Sequence, residues 1–237
     1  MRWEVHLEGD KSGLEELEKS FNDEPKVEKR DDERDYVLLS SRFGGEDVDL
    51  IREIAEDIVT ALRSFGVRDS INVDELTASN VYKISEDGSV DAVYVRAQSA
   101  VMRITGSATV TVGSDNSEEE IHSPADRTYE WTKLAIEDDA VLELSELLEN
   151  GDSWVNMYRI YEFIQANIQV PDNIVEQGWW SEDEKRLFKQ TANSRDAIGD
   201  DARHGQSSIP APEEPMTHSE AKRLIDTLVD KWLHHRR

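Results

Sequence analysis

The sequence predicts an α+β protein. An N-terminal α/β sandwich with a mostly antiparallel sheet is followed by a C-terminal all-α helical domain. Three observations carry this reading. Apolar and polar residues alternate at period two in several segments of the first half, as in half-buried strands. One long stripe at helical spacing interrupts them, formed by Ile51, Ile54, Ala55, Ile58, Val59, Leu62 and Phe65. After Trp131 the alternation stops and a 3.6-residue period takes over. The expected division is an α+β domain over 1–113, an acidic linker or loop over 114–130, and a helical domain over 131–237.

The elements follow in order. Trp3, Val5 and Leu7 alternate with polar neighbours and predict a strand, with His6 pointing outward and given no role. Leu14, Leu17 and Phe21 predict a short helix that ends before Pro25. The charged stretch from Val27 to Arg34 reads as an exposed strand or hairpin, and Tyr36-Val37-Leu38-Leu39 as a buried strand. The long helix runs from about Asp47 to Phe65, with Asp47 and Asp49 at its positive end and Gly66 as its C-terminal cap. Strands are predicted over Val73–Ile84, Val90–Ala97 and Val101–Val112, with Asp87-Gly88 as a hairpin turn. Gly113 to Arg127 is polar and reads as loop.

In the second half, Asp138–Glu149 and Trp154–Ile168 are helices, with Asp152 or Ser153 as the N-cap of the second and Pro171 as its stop. Ser181-x-x-Glu184 and Thr217-x-x-Glu220 are capping boxes that open two further helices. Between these lies a polar excursion from Thr191 to Met216.

Composition narrows the function. The 237 residues carry 52 acids and 27 bases, a formal charge of −25. The charge is even: 27 acids and 14 bases in 1–118, 25 and 13 in 119–237. This disfavours broad phosphate binding, because nucleic-acid affinity is built largely from Lys and Arg on phosphates. With 17 Arg against 10 Lys, such a coat suits a salt-rich, halophilic cytosol, where screening relieves self-repulsion. No apolar run approaches a membrane span, and Met1-Arg2-Trp3-Glu4-Val5 lacks the apolar core of a signal peptide. A cytoplasmic location and no membrane partner are expected. The absence of cysteine excludes disulfides, thiolate metal sites and cysteine nucleophiles.

Short catalytic signatures are missing: no phosphate loop, no nucleophile elbow, no His-Glu-x-x-His and no Ca²⁺ loop. The richest stretch runs from Thr191-Ala192-Asn193 to Asp200-Asp201-Ala202-Arg203-His204-Gly205. In a catalytic reading Arg203 clamps an anion, His204 moves a proton and Asn193 positions substrate. In a structural reading Gly199 and Gly205 mark turns, Asp201 caps a short helix and Arg203 pairs with the acids around it. His204 with Asp200 or Asp201, or His218 with His234 and His235, are ligand types without metal-site spacing, so no metal and no cofactor are expected. Trp179-Trp180 could stack a base or sugar but more simply packs a core. Tyr158 and Tyr161 share a helical face with Trp154 and read as core.

Two resemblances rest on these residues. Trp3-Glu4-Val5-His6-x-x-Gly9, Trp154-Val155-x-Met157-Tyr158-Arg159-Ile160-Tyr161-Glu162, Gly178-Trp179, Phe188-x-x-x-Ala192-Asn193, Gly199-Asp200-x-Ala202-Arg203-His204-Gly205, Pro215-Met216, Glu220-Ala221 and Trp232-Leu233 resemble a group of bacterial and archaeal proteins that carries no assigned mechanism. The C-terminal half also resembles HEPN-type helical domains of RNA-cleaving toxins and defence proteins. There a polar Arg-plus-His element precedes a final amphipathic helix, as Arg203-His204 precedes Thr217 to Trp232. That family separates its Arg and His by several residues, whereas here they adjoin. The expected function is a non-enzymatic macromolecule-binding protein, with a protein partner or self-association favoured over nucleic acid. The alternative is a HEPN-like ribonuclease using Arg203, His204 and Asn193, with RNA as its partner.

Overall fold

The computed structural model describes residues 1–31, 35–45, 47–95, 124–168, 173–203 and 209–237. The chain forms two compact units, Met1–Glu130 and Trp131–Arg237.

The first unit is built on a five-stranded sheet of order β2-β3-β1-β4-β5, every pairing antiparallel. The strands are β1 Arg2–Glu8, β2 Lys26–Lys29, β3 Tyr36–Leu39, β4 Thr77–Ile84 and β5 Val90–Tyr94. β1 is central, and Val5 stands opposite both Leu38 and Val81. Trp3, Val5 and Leu7 are buried as their alternation requires. Two helices accompany the sheet, α1 Lys11–Ser20 against β2 and α2 Val48–Arg68 against β4. The α2 stripe is buried at Ile51, Ala55, Ile58, Val59, Leu62 and Phe65, with Ile54 half-buried, and Asp47 caps its N-terminus by accepting from the Asp49 and Leu50 amides. The predicted strand over 101–112 lies outside the described residues.

Three local readings are corrected. Gly66 does not cap α2, which continues to Arg68 with Asp69 as its cap. A Cβ at Gly66 would stand 2.4 Å from Val73 Cγ2, so this glycine is required by packing rather than by a turn. Asp69 is held from α3, which spans Pro124–Glu137: Arg127 Nε donates at 2.6 Å and Thr128 Oγ1 at 2.8 Å. β4 starts at Thr77, not Val73, because the Ile71, Val73 and Leu76 amides are spent on turn bonds. The linker expected up to 130 gives way to helix within its last residues, since α3 covers 124–130 of it.

Gly13 gives a test of this unit. A Cβ there would lie 2.0 Å from the Asn72 carbonyl oxygen, a backbone atom that cannot swing away. Gly13→Ala should lower stability by about 3 kcal/mol in a urea titration, as overpacking against a fixed neighbour does. Gly44→Ala, with nothing within 4 Å of its Cβ, should be near neutral. Equal midpoints for the two variants would refute the close approach.

In the second unit the C-terminal part of α3 is followed by α4 Asp139–Glu149, α5 Trp154–Ala166, α6 Glu182–Asn193, α7 Arg195–Ile198, a 3₁₀ turn at Gly199–Asp201 and α8 His218–Arg236. α5 packs against α4, α6 and α8. Leu144, Ile164, Phe188, Leu228 and Trp232 are fully buried at its centre. Ser153 caps α5, and both capping boxes form as the spacing predicts. Their bonds hold the carboxyls of Glu184 and Glu220 below the ordinary glutamate value. The Ser181 amide is the main cause at Glu184, the Thr217 hydroxyl at Glu220. The polar excursion begins later than expected, since Thr191, Ala192 and Asn193 complete α6 and are buried. Among the described residues no helix is long and apolar enough to cross a membrane.

Candidate functional site

The Thr191–Arg203 stretch folds back onto α5 and α6. Gly199 adopts φ +64°, so the chain can reverse there between α7 and the 3₁₀ turn. The reversal brings the Arg203 amide to the Ala192 carbonyl at 3.0 Å. The Arg203 guanidinium then lies along α5. Its Nη2 donates to Glu162 Oε2 at 2.9 Å, and its plane sits 4.3 Å from the Tyr158 ring centroid. Tyr158 and Glu162 are four residues apart on one helix face, which is why one side chain meets both. The acids nearest in sequence are not its partners, for Asp200 pairs with Arg195 at 2.6 Å and Asp201 ends the 3₁₀ turn. His204 and Gly205 lie outside the described residues.

Asn193 is only 6% exposed. Its Nδ2 donates to the Lys189 carbonyl at 2.7 Å, and its Oδ1 has no hydrogen-bond partner among the described residues. It does not share a lining with Arg203. It borders instead an open groove of about 500 Å³ on α6, together with Lys185, Arg186, Lys189, Gln190, Glu182 and Ile209. The far wall is fastened by Gln190 Nε2, which donates to the Pro210 carbonyl at 3.0 Å. Three cationic side chains and one acidic one thus border the groove, mostly through their aliphatic stems. Of the cations only Arg186 makes an ion pair among the described residues, with Asp183, and both of those side chains are mostly exposed. The sequence reading passed over these residues. A readable signal was there, a like-charge pair Lys185/Lys189 at i,i+4 in a chain with nearly twice as many acids as bases.

The aromatic residues form the core beneath. Tyr161 stacks on Trp180 at 5.4 Å and Tyr158 on Phe188 at 5.9 Å. Burial pushes the Tyr161 hydroxyl up to about 12, which keeps it neutral and unsuited to proton transfer near pH 7. Trp180 is buried and donates from Nε1 to the Leu224 carbonyl, so it is not a free stacking surface. Trp179 is half-buried against His235.

The histidines are occupied separately. His218 Nε2 lies 2.8 Å from the Asp152 carbonyl, His234 Nδ1 lies 2.7 Å from the Asp230 carbonyl, and His234 and His235 sit edge-on to different tryptophans, Trp131 and Trp179. Among the described residues no three metal-ligand side chains converge. The chain matches no family model, and no curated protein or solved structure matches it.

Proposed function

We propose that this chain is a non-enzymatic cytoplasmic protein that binds another protein. The observation that carries the proposal is the state of Arg203. A catalytic anion clamp must turn its guanidinium toward the space where substrate sits. Among the described residues Arg203 spends only one of its guanidinium N–H donors, on Glu162, but its guanidinium is laid over the Tyr158 ring along α5 and its amide is tied to α6. This is the arrangement of a brace between α5 and the loop after α6. The even negative coat points the same way, since a polyanionic substrate would be repelled at every approach except a local cationic one.

Ribonuclease assays separate this reading from the HEPN-like one. Purified wild type should leave single-stranded RNA intact. Arg203→Ala should lower stability by about 1–2 kcal/mol, the loss of a half-exposed ion pair and a cation–π contact. Lys at position 203 should recover little, since it keeps the charge but neither the fork nor the flat face. Cleavage by wild type that Arg203→Ala and His204→Ala each abolish, with unchanged melting, would replace this proposal with the enzyme reading.

A further inference from the structure

We propose that the outer face of α6 is a docking groove for an acidic segment of a partner protein. The proposal rests on the protein-binding reading above and names the chemistry of what is bound.

Charge is the first argument. Lys185, Arg186 and Lys189 place three cations within five residues of one helix, against one groove carboxylate, Glu182. Lys185 and Lys189 stand at i,i+4, where like charges weaken a helix by about 0.2–0.5 kcal/mol. In a chain with 52 acids, neither has an ion-pair partner among the described residues. An external anion arriving between its members relieves that repulsion.

The second argument is independent of charge. Asn193 is more than nine-tenths buried and borders the same groove, yet its Oδ1 accepts nothing among the described residues. A buried acceptor left without a donor costs about 1–3 kcal/mol. A bare anion cannot relieve that cost, because it brings only acceptors. A peptide brings backbone N–H donors between its carboxylates, and one of them meets Oδ1 once the Asn193 side chain, sealed from solvent as it stands, turns toward the groove. Ile209 supplies the third feature, an aliphatic side chain 40% exposed on the rim, which suits an apolar residue among the acids.

The size of the site decides against nucleic acid. Affinity for a phosphate backbone grows with the number of phosphates neutralised, and three cations on a −25 chain neutralise few. A short acidic segment has few charges to satisfy and meets little repulsion beyond a Debye length of ~10 Å at 0.1 M salt.

Fluorescence anisotropy on the full chain tests this. The probes are a fluorescein-labelled Glu-Glu-Leu repeat peptide, a Lys-Lys-Leu repeat peptide and a single-stranded RNA oligonucleotide. The acidic peptide should bind, and Lys185→Gln/Lys189→Gln should weaken it roughly tenfold or more, with melting unchanged. Asn193→Ala should weaken it severalfold without altering the salt dependence, since no charge is removed. If the acidic peptide does not bind, or binds the double variant equally well, the groove proposal is overturned. Tighter binding of RNA than of the acidic peptide, lost in the same double variant, also overturns it. Binding of the basic peptide alone would leave the protein-binding reading standing without this groove. Cleavage of the RNA would remove that reading itself.

Discussion

Phe188→Ala is expected to cost the second unit about 4 kcal/mol or more. Phe188 is completely buried, and four aromatic rings surround it: Trp180 at 5.3 Å, Tyr161 at 5.8 Å, Tyr158 at 5.9 Å and Trp154 at 6.2 Å between centroids. Truncation removes the transfer free energy of a phenyl ring and leaves a hole that rigid rings cannot close. Edge-to-face and stacked contacts worth ~0.5–1.5 kcal/mol per pair are lost as well. Against a total of about 5–15 kcal/mol for a domain, that is a large fraction. At ~4–8 °C per kcal/mol for a domain of about this size, thermal unfolding of the unit should fall by ~15 °C or more. Tyr161 reports on the same cavity. Its hydroxyl titrates high because it is buried, so in the variant it should move from about 12 back toward the ordinary tyrosine value in an ultraviolet titration. Phe188→Leu should keep most of the volume and lose far less. A Phe188→Ala protein that melts within ~4 °C of wild type would show that the cluster is not the core of the unit.

Arg30→Ala is expected to destabilise the first unit by about 3 kcal/mol. Its partner Glu4 sits on the central strand with a side chain that is 0% exposed. Arg30 Nη2 donates to Glu4 Oε1 at 2.7 Å, and Arg30 also pairs with Glu28 at 2.9 Å. Removing one member of a buried pair costs far more than the pair contributes, because the other charge stays behind in a dry site. Arg2 softens the loss, since it too donates to Glu4, but it is 58% exposed and an exposed partner is worth less. Three variants separate these effects in urea. Arg30→Ala should shift the midpoint strongly, Arg2→Ala by about 1 kcal/mol or less. Glu4→Gln/Arg30→Met should recover most of the loss, since it leaves no stranded charge. Equal shifts for Arg30→Ala and Arg2→Ala would contradict the assignment of Arg30 as the principal counter-ion.

What could be read from the sequence was what is decided within a few residues. The Ser181/Glu184 and Thr217/Glu220 boxes form as expected because both partners of each bond lie in one turn. The α2 stripe was equally plain. Gly66 reads as a cap because a capping glycine and a packing glycine look alike in sequence, while the contact that decides is with Val73. The helix over 124–130 escapes a local reading for a similar reason, since Arg127 and Thr128 on it reach Asp69, 58 and 59 residues away.

The candidate site divides the same way. Arg203 stood out as a cation beside a histidine in an acidic chain, but its real partner, Glu162, is 41 residues away. Asn193, a candidate site residue in the sequence, borders the α6 groove apart from Arg203. The α6 cations are visible as a pattern, yet the residue that closes the groove from outside the helix is Ile209, held there by the Gln190 bond to the Pro210 carbonyl 20 residues on.

The α6 groove is therefore the place where the account stands or falls. Its most direct test is the anisotropy titration of the Glu-Glu-Leu peptide against wild type and Lys185→Gln/Lys189→Gln at ~0.1 M salt, where surface charges still interact over ~10 Å. Saturable binding to wild type that weakens roughly tenfold or more in the double variant, with both proteins melting alike, is the predicted result. The same affinity in both proteins, or no binding to wild type, would contradict it.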